Sequence, residues 1–386
     1  MGSKRFFGAM LLLTALFVAL GEWACYRVDP VGVWGARTRN GLNNMKVQQG
    51  FFLDIFKPYE YARVRPDVVF LGTSRVHVGW DASSGPEPNA YNFAMTGLPL
   101  STTESYLHFA YRVHTPKKVY LGLDAYSFHY DNYHLLGHNA RPSFSEKRLA
   151  AIASGPFFSH VYAIKDSLSL MGEILPTVEA SGREPEHPGL YERGWFRQHG
   201  GSPGVNEPFY YEVFNISNLE TKDATGFRYA PEAMECLKRI LADAEAHGVE
   251  MVLFFNPMSV DEHTMMYFGG QEPVMGRIKK DIALLHPVYD FDCLSPYTEN
   301  IRGYYYDFLH YRKPMGDAIH KAMFDGRPEG IGRLLTAENA DAVIREEQQR
   351  YEDWRQGNPA RVEALRFYFD RQEKAPKGAF KEFIGF

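Results

Sequence analysis

The chain has 386 residues, 45% of them hydrophobic and 23% charged, with a formal net charge of −5. This is the composition of a folded globular protein, and its length suggests about two domains. The slight acidity argues against a nucleic-acid surface, which shows as a basic patch. With 24 Tyr and 28 Phe the chain suits a carbohydrate-facing cleft, although a large aromatic core gives the same counts. Cys25, Cys236 and Cys293 lack metal-ligand spacing. One Cys236–Cys293 disulfide is compatible with an oxidising compartment, but unpaired buried thiols fit better.

Lys4 and Arg5 precede an apolar run from Phe6 to Leu20 that extends to Cys25, about the length of a bilayer span. Basic residues ahead of such a run predict a cytoplasmic amino terminus and export of the rest of the chain. Residues 1–25 therefore read as an uncleaved signal anchor in the inner (cytoplasmic) membrane, with a cleaved signal peptide as the rival. Residues 26–66 read as a lead-in segment packed on the core.

Val68 to Gly79, VVFLGTSRVHVG, begins as a buried parallel strand and ends at Gly72-Thr73-Ser74-Arg75. A turn there lies outside the carboxyl end of a strand, where open α/β sheets place their sites. Ser74 then sits at the lip of a crevice; a plain strand-to-helix turn with a Ser or Thr cap is the alternative. Ala90 to Met95 reads as a second strand, Pro99 to His114 as a helix, and Lys117 to Tyr126 as a third strand. From about 127 to 228 the βα alternation stops, and an aromatic-rich insertion suggests a substrate-shaping lid. Tyr191, Trp195, Phe209 and Tyr210 there serve equally well as its own small core. His129, His134 and His138 show no familiar metal spacing, so no metal or cofactor is expected.

Alternation resumes with a helix at Pro231 to His247, a strand at Val249 to Phe255, a helix from about Val274 to Leu285 and a strand at Val288 to Phe291. Asp307 and His310 come next, three apart, ahead of a helix from about Pro314 to Phe324. That spacing, one helical turn, lets both side chains project to one side. A hydroxyl nucleophile needs a base, and the base needs an orienting carboxylate; Ser74, His310 and Asp307 supply the three types. Leu335 to Glu373 reads as a charged helical hairpin broken at Gly357-Asn358-Pro359, a solvated or partner-docking arm within the 331–386 helical extension.

The GTSR block around Ser74 and the late Asp-x-x-His block resemble the SGNH hydrolase superfamily, in particular its membrane-anchored periplasmic branch linked to polysaccharide O-acetylation, as in alginate acetylation. The resemblance implies a flavodoxin-like parallel sheet flanked by helices over 67–330. It implies a Ser74–His310–Asp307 triad, with the N–H groups of Ser74 and Gly97 as an oxyanion hole, and Asn92 at the family's frequent Asn. Arg75 matches the branch motif and is expected to orient the loop or contact an anionic sugar; His77 beside it reads as structural. Asp124 stands where the superfamily's third block usually has Asn, and a carboxylate cannot donate as that Asn does. Asp124 and Tyr126 are therefore candidates for structure or substrate binding. The implied activity is acyl (acetyl) transfer to hydroxyls of an envelope or exported polysaccharide, with an acyl group delivered by a multi-spanning membrane acyltransferase partner. An esterase with the same triad is the alternative. So is a non-catalytic anchored assembly or sugar-binding scaffold, as in the D-alanylation accessory proteins of similar architecture.

Overall fold

Val68–Leu71, four consecutive buried apolar residues, forms the first strand, β1, of a six-stranded sheet. The structure is a computed structural model that describes residues 3–134, 143–223, 227–371 and 373–385. The chain divides into two units, one of residues 1–65, 108–114 and 142–190, the other of 66–107, 115–141 and 191–386.

The second unit holds the sheet. Its further strands are β2 (Ala90–Asn92), β3 (Lys118–Leu123), β6 (Glu250–Phe255), β7 (Val288–Asp290) and β8 (Arg333–Leu335), while β4 (Tyr191–Glu192) and β5 (Trp195–Phe196) make a separate small hairpin. The order is β2-β1-β3-β6-β7-β8, parallel throughout except that β8 runs antiparallel to β7. The α/β class with a mostly parallel sheet is as expected. The antiparallel edge strand is not: Arg333–Leu335 is too short to carry a period of its own. β1 and β3 are neighbours from which the chain departs to opposite sides, so a crevice opens at their carboxyl ends. The helices Pro231–Ala246, Glu272–Leu285 and Lys313–Phe324 each carry Pro in the first turn, where its missing N–H costs no hydrogen bond.

The charged carboxyl-terminal hairpin, Ala340–Gly357 and Pro359–Arg371, is docked on its own unit and is not a solvated arm. Tyr351, Leu365 and Phe369 are buried. Arg355 donates to Glu272 (2.9 Å) and Arg361 to Asp261 (2.6 Å). Phe380 and Ile384 of the tail join the same core.

In the first unit a helix runs from Ser3 to Val28, three residues past the expected end of the anchor. Its stretch Lys4–Val28 is long and apolar enough to cross a membrane. The helices Leu53–Val64, Glu146–Ala153, Pro156–Ser169 and Ile174–Arg183 complete the unit. Asp166 ties the first three together, accepting from Tyr59 Oη (3.0 Å) and from Arg148 Nε (2.6 Å) and Nη2 (3.0 Å). The insertion expected over 127–228 is thus largely helical and divides between the two units. All three cysteines are buried and unpaired, so Cys236 and Cys293 form no disulfide.

Candidate active site

The turn after β1 leads directly into a short helix, Ser74–Gly79, with Ser74 as its first residue. More than two hundred residues later, Tyr305 and Tyr311 pair as an isolated antiparallel bridge that pinches off the loop between them. Inside it Tyr306 N–H donates to the His310 carbonyl (2.7 Å), and Asp307 Oδ1 accepts the N–H groups of Leu309 and His310 (2.8 Å each). Asp307 and His310 are therefore brought together by a self-capped turn and not by a helical one.

His310 Nδ1 lies 2.7 Å from Asp307 Oδ2 and 3.0 Å from Oδ1. A carboxylate only accepts, so Nδ1 carries the proton and donates it. With the proton on Nδ1 alone, Nε2 is the acceptor, and Ser74 Oγ stands 2.8 Å from it, in reach to donate its hydroxyl proton. Burial alone would raise the Asp307 pKa, but the His310 imidazole and the donors from Leu309 and His310 overcome it and hold the carboxyl below its usual range.

Two close approaches pack the Ser74–Gly79 helix against the segment that follows His310. A Cβ on Gly79 would meet the Tyr311 ring at 2.0 Å, and one on Gly316 would meet the Gly79 carbonyl oxygen at 1.9 Å. Glycine at 79 lets the end of the Ser74–Gly79 helix pack on the Tyr311 ring, and glycine at 316 lets the Lys313–Phe324 helix touch that same end.

A cavity of about 160 Å³ opens beside Ser74, lined also by Thr73, Gly97, Leu98, Tyr126 and Leu309. Gly97 is in the left-handed region (φ +58°) and exposed to this cavity. Among the described residues neither its N–H nor that of Ser74 has a backbone acceptor. Ser74 and Gly97, whose N–H groups are the donors expected for an oxyanion, thus both line this cavity.

Arg75 and Asp124 border the cavity, yet their polar atoms are engaged inward. Asp124 accepts from Thr73 Oγ1 (2.6 Å) and Asn256 Nδ2 (3.2 Å) and faces Arg75 Nε at 3.2 Å. Arg75 also pairs with buried Glu262 and donates to the Pro257 carbonyl (3.3 Å). Burial pushes the Glu262 carboxyl up to about 7, against the pull of Arg75. This bonding makes Arg75 and Asp124 a brace under the nucleophile turn, the loop-orienting one of the two parts expected for Arg75. Tyr126, half-buried, rests its hydroxyl 3.6 Å from Met266 Sδ. Asn92 donates to the carbonyls of Val76 (2.9 Å) and Trp80 (2.8 Å), stitching the end of the Ser74 helix to β2.

Several residues were not legible in advance. Asn256 and Glu262 complete the brace, and Tyr311 links Asn256 (2.8 Å) to Trp80 (2.8 Å); no local pattern pairs positions so far apart. His199, from the insertion, stacks on Tyr306 at 4.4 Å, next to the triad. Burial and the neighbouring His310 lower its pKa to about 4, so its ring is neutral. Of the insertion's aromatics, Trp195 and Tyr210 are buried in the unit's packing and Phe209 is partly exposed. His77 is buried and stacked on Tyr191 and Phe196, the structural part expected of it. His129 and His134 face Asp131 and Glu232 respectively, and His138 lies outside the described residues.

A wider recess of about 660 Å³ beside β8 is lined by Cys293, Ser295, Arg333 and Arg350 among others. Burial pushes the Cys293 thiol well up, and Arg350 is spent on Glu347 and the Leu294 carbonyl. No nucleophile–base pair stands among its lining residues, so chemistry and not size singles out the smaller cavity. No family model matches the chain, and no curated protein matches it.

Proposed function

We propose that this protein is a Ser-His-Asp acyltransferase that moves a small acyl group, such as acetyl, onto hydroxyls of an envelope or exported polysaccharide. The observation that carries the reading is the unbroken chain Ser74 Oγ–His310 Nε2 (2.8 Å) and His310 Nδ1–Asp307 Oδ2 (2.7 Å). The resemblance of the GTSR and Asp-x-x-His blocks to the anchored SGNH branch supports the choice of substrate class. So does the cavity of about 160 Å³, which has room for a short acyl chain and little more.

In this reading Ser74 Oγ gives its proton to His310 Nε2 and attacks the acyl carbonyl. The negative charge that develops on the carbonyl oxygen is met by the N–H groups of Ser74 and Gly97, donors fixed before the reaction begins. Collapse returns the His310 proton to the departing group and leaves an ester on Ser74. An acceptor hydroxyl then loses its proton to His310, attacks that ester, and frees Ser74, which recovers the proton. Asp307 holds the imidazole tautomer throughout. The Arg75–Asp124–Glu262 brace positions the turn and makes no contact with the acyl group. Two donors in place of three suit a slow, acceptor-selective transferase better than a rapid esterase.

The test is acetyl-ester turnover by the full chain in detergent, with and without an oligosaccharide acceptor, for wild type, Ser74→Ala and His310→Ala. Acetylated sugar made by wild type alone supports transfer. Acetate release without sugar product makes the same residues an esterase. Equal background in all three proteins rejects the catalytic reading and leaves a scaffold.

A further inference from the structure

The Pro156–Ser169 helix in the first unit is amphipathic the wrong way round. Helices of globular proteins turn their apolar stripe to the core. Here Phe157, Val161, Ile164 and Leu168, spaced i, i+4, i+7 and i+11, form a stripe on the outside. The buried side of the helix is Ala163, Asp166 and Ser167. Phe157 is 74% exposed, Val161 49% and Ile164 41%; on the next helix Leu175 is 77% exposed. Large apolar side chains exposed in this number on neighbouring helices mark an interaction site.

What covers it is indicated by the amino-terminal helix. That helix is exposed from Lys4 to Leu20 and first becomes buried at Gly21. At about 1.5 Å per residue the exposed part measures about 25 Å, close to the hydrocarbon thickness of a bilayer. The inverted helix meets it where the exposure ends. Cys25 Sγ donates to the Ser167 carbonyl (3.3 Å), and a Cβ on Gly21 would touch Met171 at 3.0 Å. These contacts are one helical turn apart, so Ser167 and Met171 lie within about 6 Å of each other along the axis of the amino-terminal helix. At the same level Trp23 and Tyr26 project outward, 63% and 54% exposed. Aromatics so placed are the belt residues of a membrane–water boundary.

We propose that the outward stripe of the Pro156–Ser169 helix, continued by Leu175, is seated in the headgroup and acyl-chain boundary of the bilayer that the amino-terminal helix enters. The first unit is then held to the membrane by a span and by an interfacial helix that lies on it. The inference depends on the amino-terminal helix entering lipid and is independent of the triad chemistry.

The test places the full chain in vesicles of phosphatidylethanolamine and phosphatidylglycerol, with the fluorophore NBD on Val161→Cys and, separately, on Leu175→Cys. Both positions are at the surface, so the changes leave the core intact, and the three native thiols are buried. The expected result at both positions is blue-shifted emission that loses most of its intensity to doxyl-labelled lipid and is insensitive to aqueous iodide. Water-like emission quenched by iodide overturns the proposal. Blue-shifted emission that neither quencher reaches overturns it in favour of a protein partner on the same face. A chain that fails to join the vesicles overturns it together with the span.

Discussion

At the residue scale, the arrangement rests on Asp307 being ionised, hydrogen-bonded and almost wholly buried. Asp307→Asn keeps the shape but allows the amide to donate to Nδ1, which favours the wrong imidazole tautomer. The predicted outcome is a loss in kcat on the order of 10³–10⁴-fold with KM little changed, read from steady-state ester turnover. Arg75 makes a different prediction. Its removal in Arg75→Leu leaves Glu262 and Asp124 facing each other in a buried site without their cation. Breaking such a pair by deleting one partner costs about 3–5 kcal/mol. Denaturant unfolding should show a loss of that size, and Arg75→Lys should recover only part of it, since a lysine cannot span two carboxylates and the Pro257 carbonyl as a guanidinium does.

At the scale of elements, Ser74 was legible because a buried strand followed by small residues places a hydroxyl at a sheet edge whatever the rest of the chain does. Asp307 and His310 were legible as a pair but not as a geometry. Their spacing suggested a helical turn, whereas the tyrosine bridge on either side closes a loop in which Asp307 caps its own successors. The brace was not legible at all, since Arg75 meets Glu262 across 187 positions of sequence. The carboxyl-terminal hairpin misled for a related reason. Its charges suggested a solvated face, yet Arg355 and Arg361 are spent on Glu272 and Asp261, and its few apolar residues are the ones buried. The contact between the Ser74–Gly79 and Lys313–Phe324 helices carries the prediction at this scale. In Gly316→Ala the new methyl must push the Ser74 helix away from the His310 loop. Overpacking of this kind costs about 1–3 kcal/mol, and a displacement of about 1 Å at the site costs about 10²-fold in rate. Gly357→Ala, at an exposed position where a Cβ would meet nothing within 4 Å, should leave turnover nearly unchanged.

For the whole molecule, buried neutral histidines weaken the fold in acid. Burial lowers the pKa of His199 and of His320 from 6.5 to about 4 and that of His263 to about 3. As pH falls below 6.5 the unfolded chain takes up protons that these folded histidines refuse, so they favour unfolding increasingly toward pH 4, opposed in part by Glu262 and Asp290, whose carboxyls burial raises so that they bind protons first in the folded chain. Asp307 adds to the loss only lower, as pH falls below the usual carboxylate range, because its folded value is depressed. His320 is the cleanest probe. It lies among the rings of Phe70, Trp80 and Tyr120 at 5.1–5.2 Å, with Glu87 and Lys118 as its charged neighbours. Denaturant unfolding of His320→Phe should show a shallower fall in stability between pH 6.5 and 4 than wild type, by on the order of 2–3 kcal/mol at the acid end. An unchanged slope would mean that His320 is protonated in the folded protein.

Everything proposed for the site depends on Ser74 carrying the acyl group, and mass spectrometry of the intact chain decides whether it does. The purified protein is mixed with p-nitrophenyl acetate, quenched in acid and digested. The expected result is one acetyl group on the peptide bearing Ser74 in wild type, accumulating in the absence of an acceptor, missing in Ser74→Ala and His310→Ala, and discharged when an oligosaccharide is added. Acetyl groups scattered over surface lysines, equally in all three proteins and with Ser74 unmodified, would contradict it.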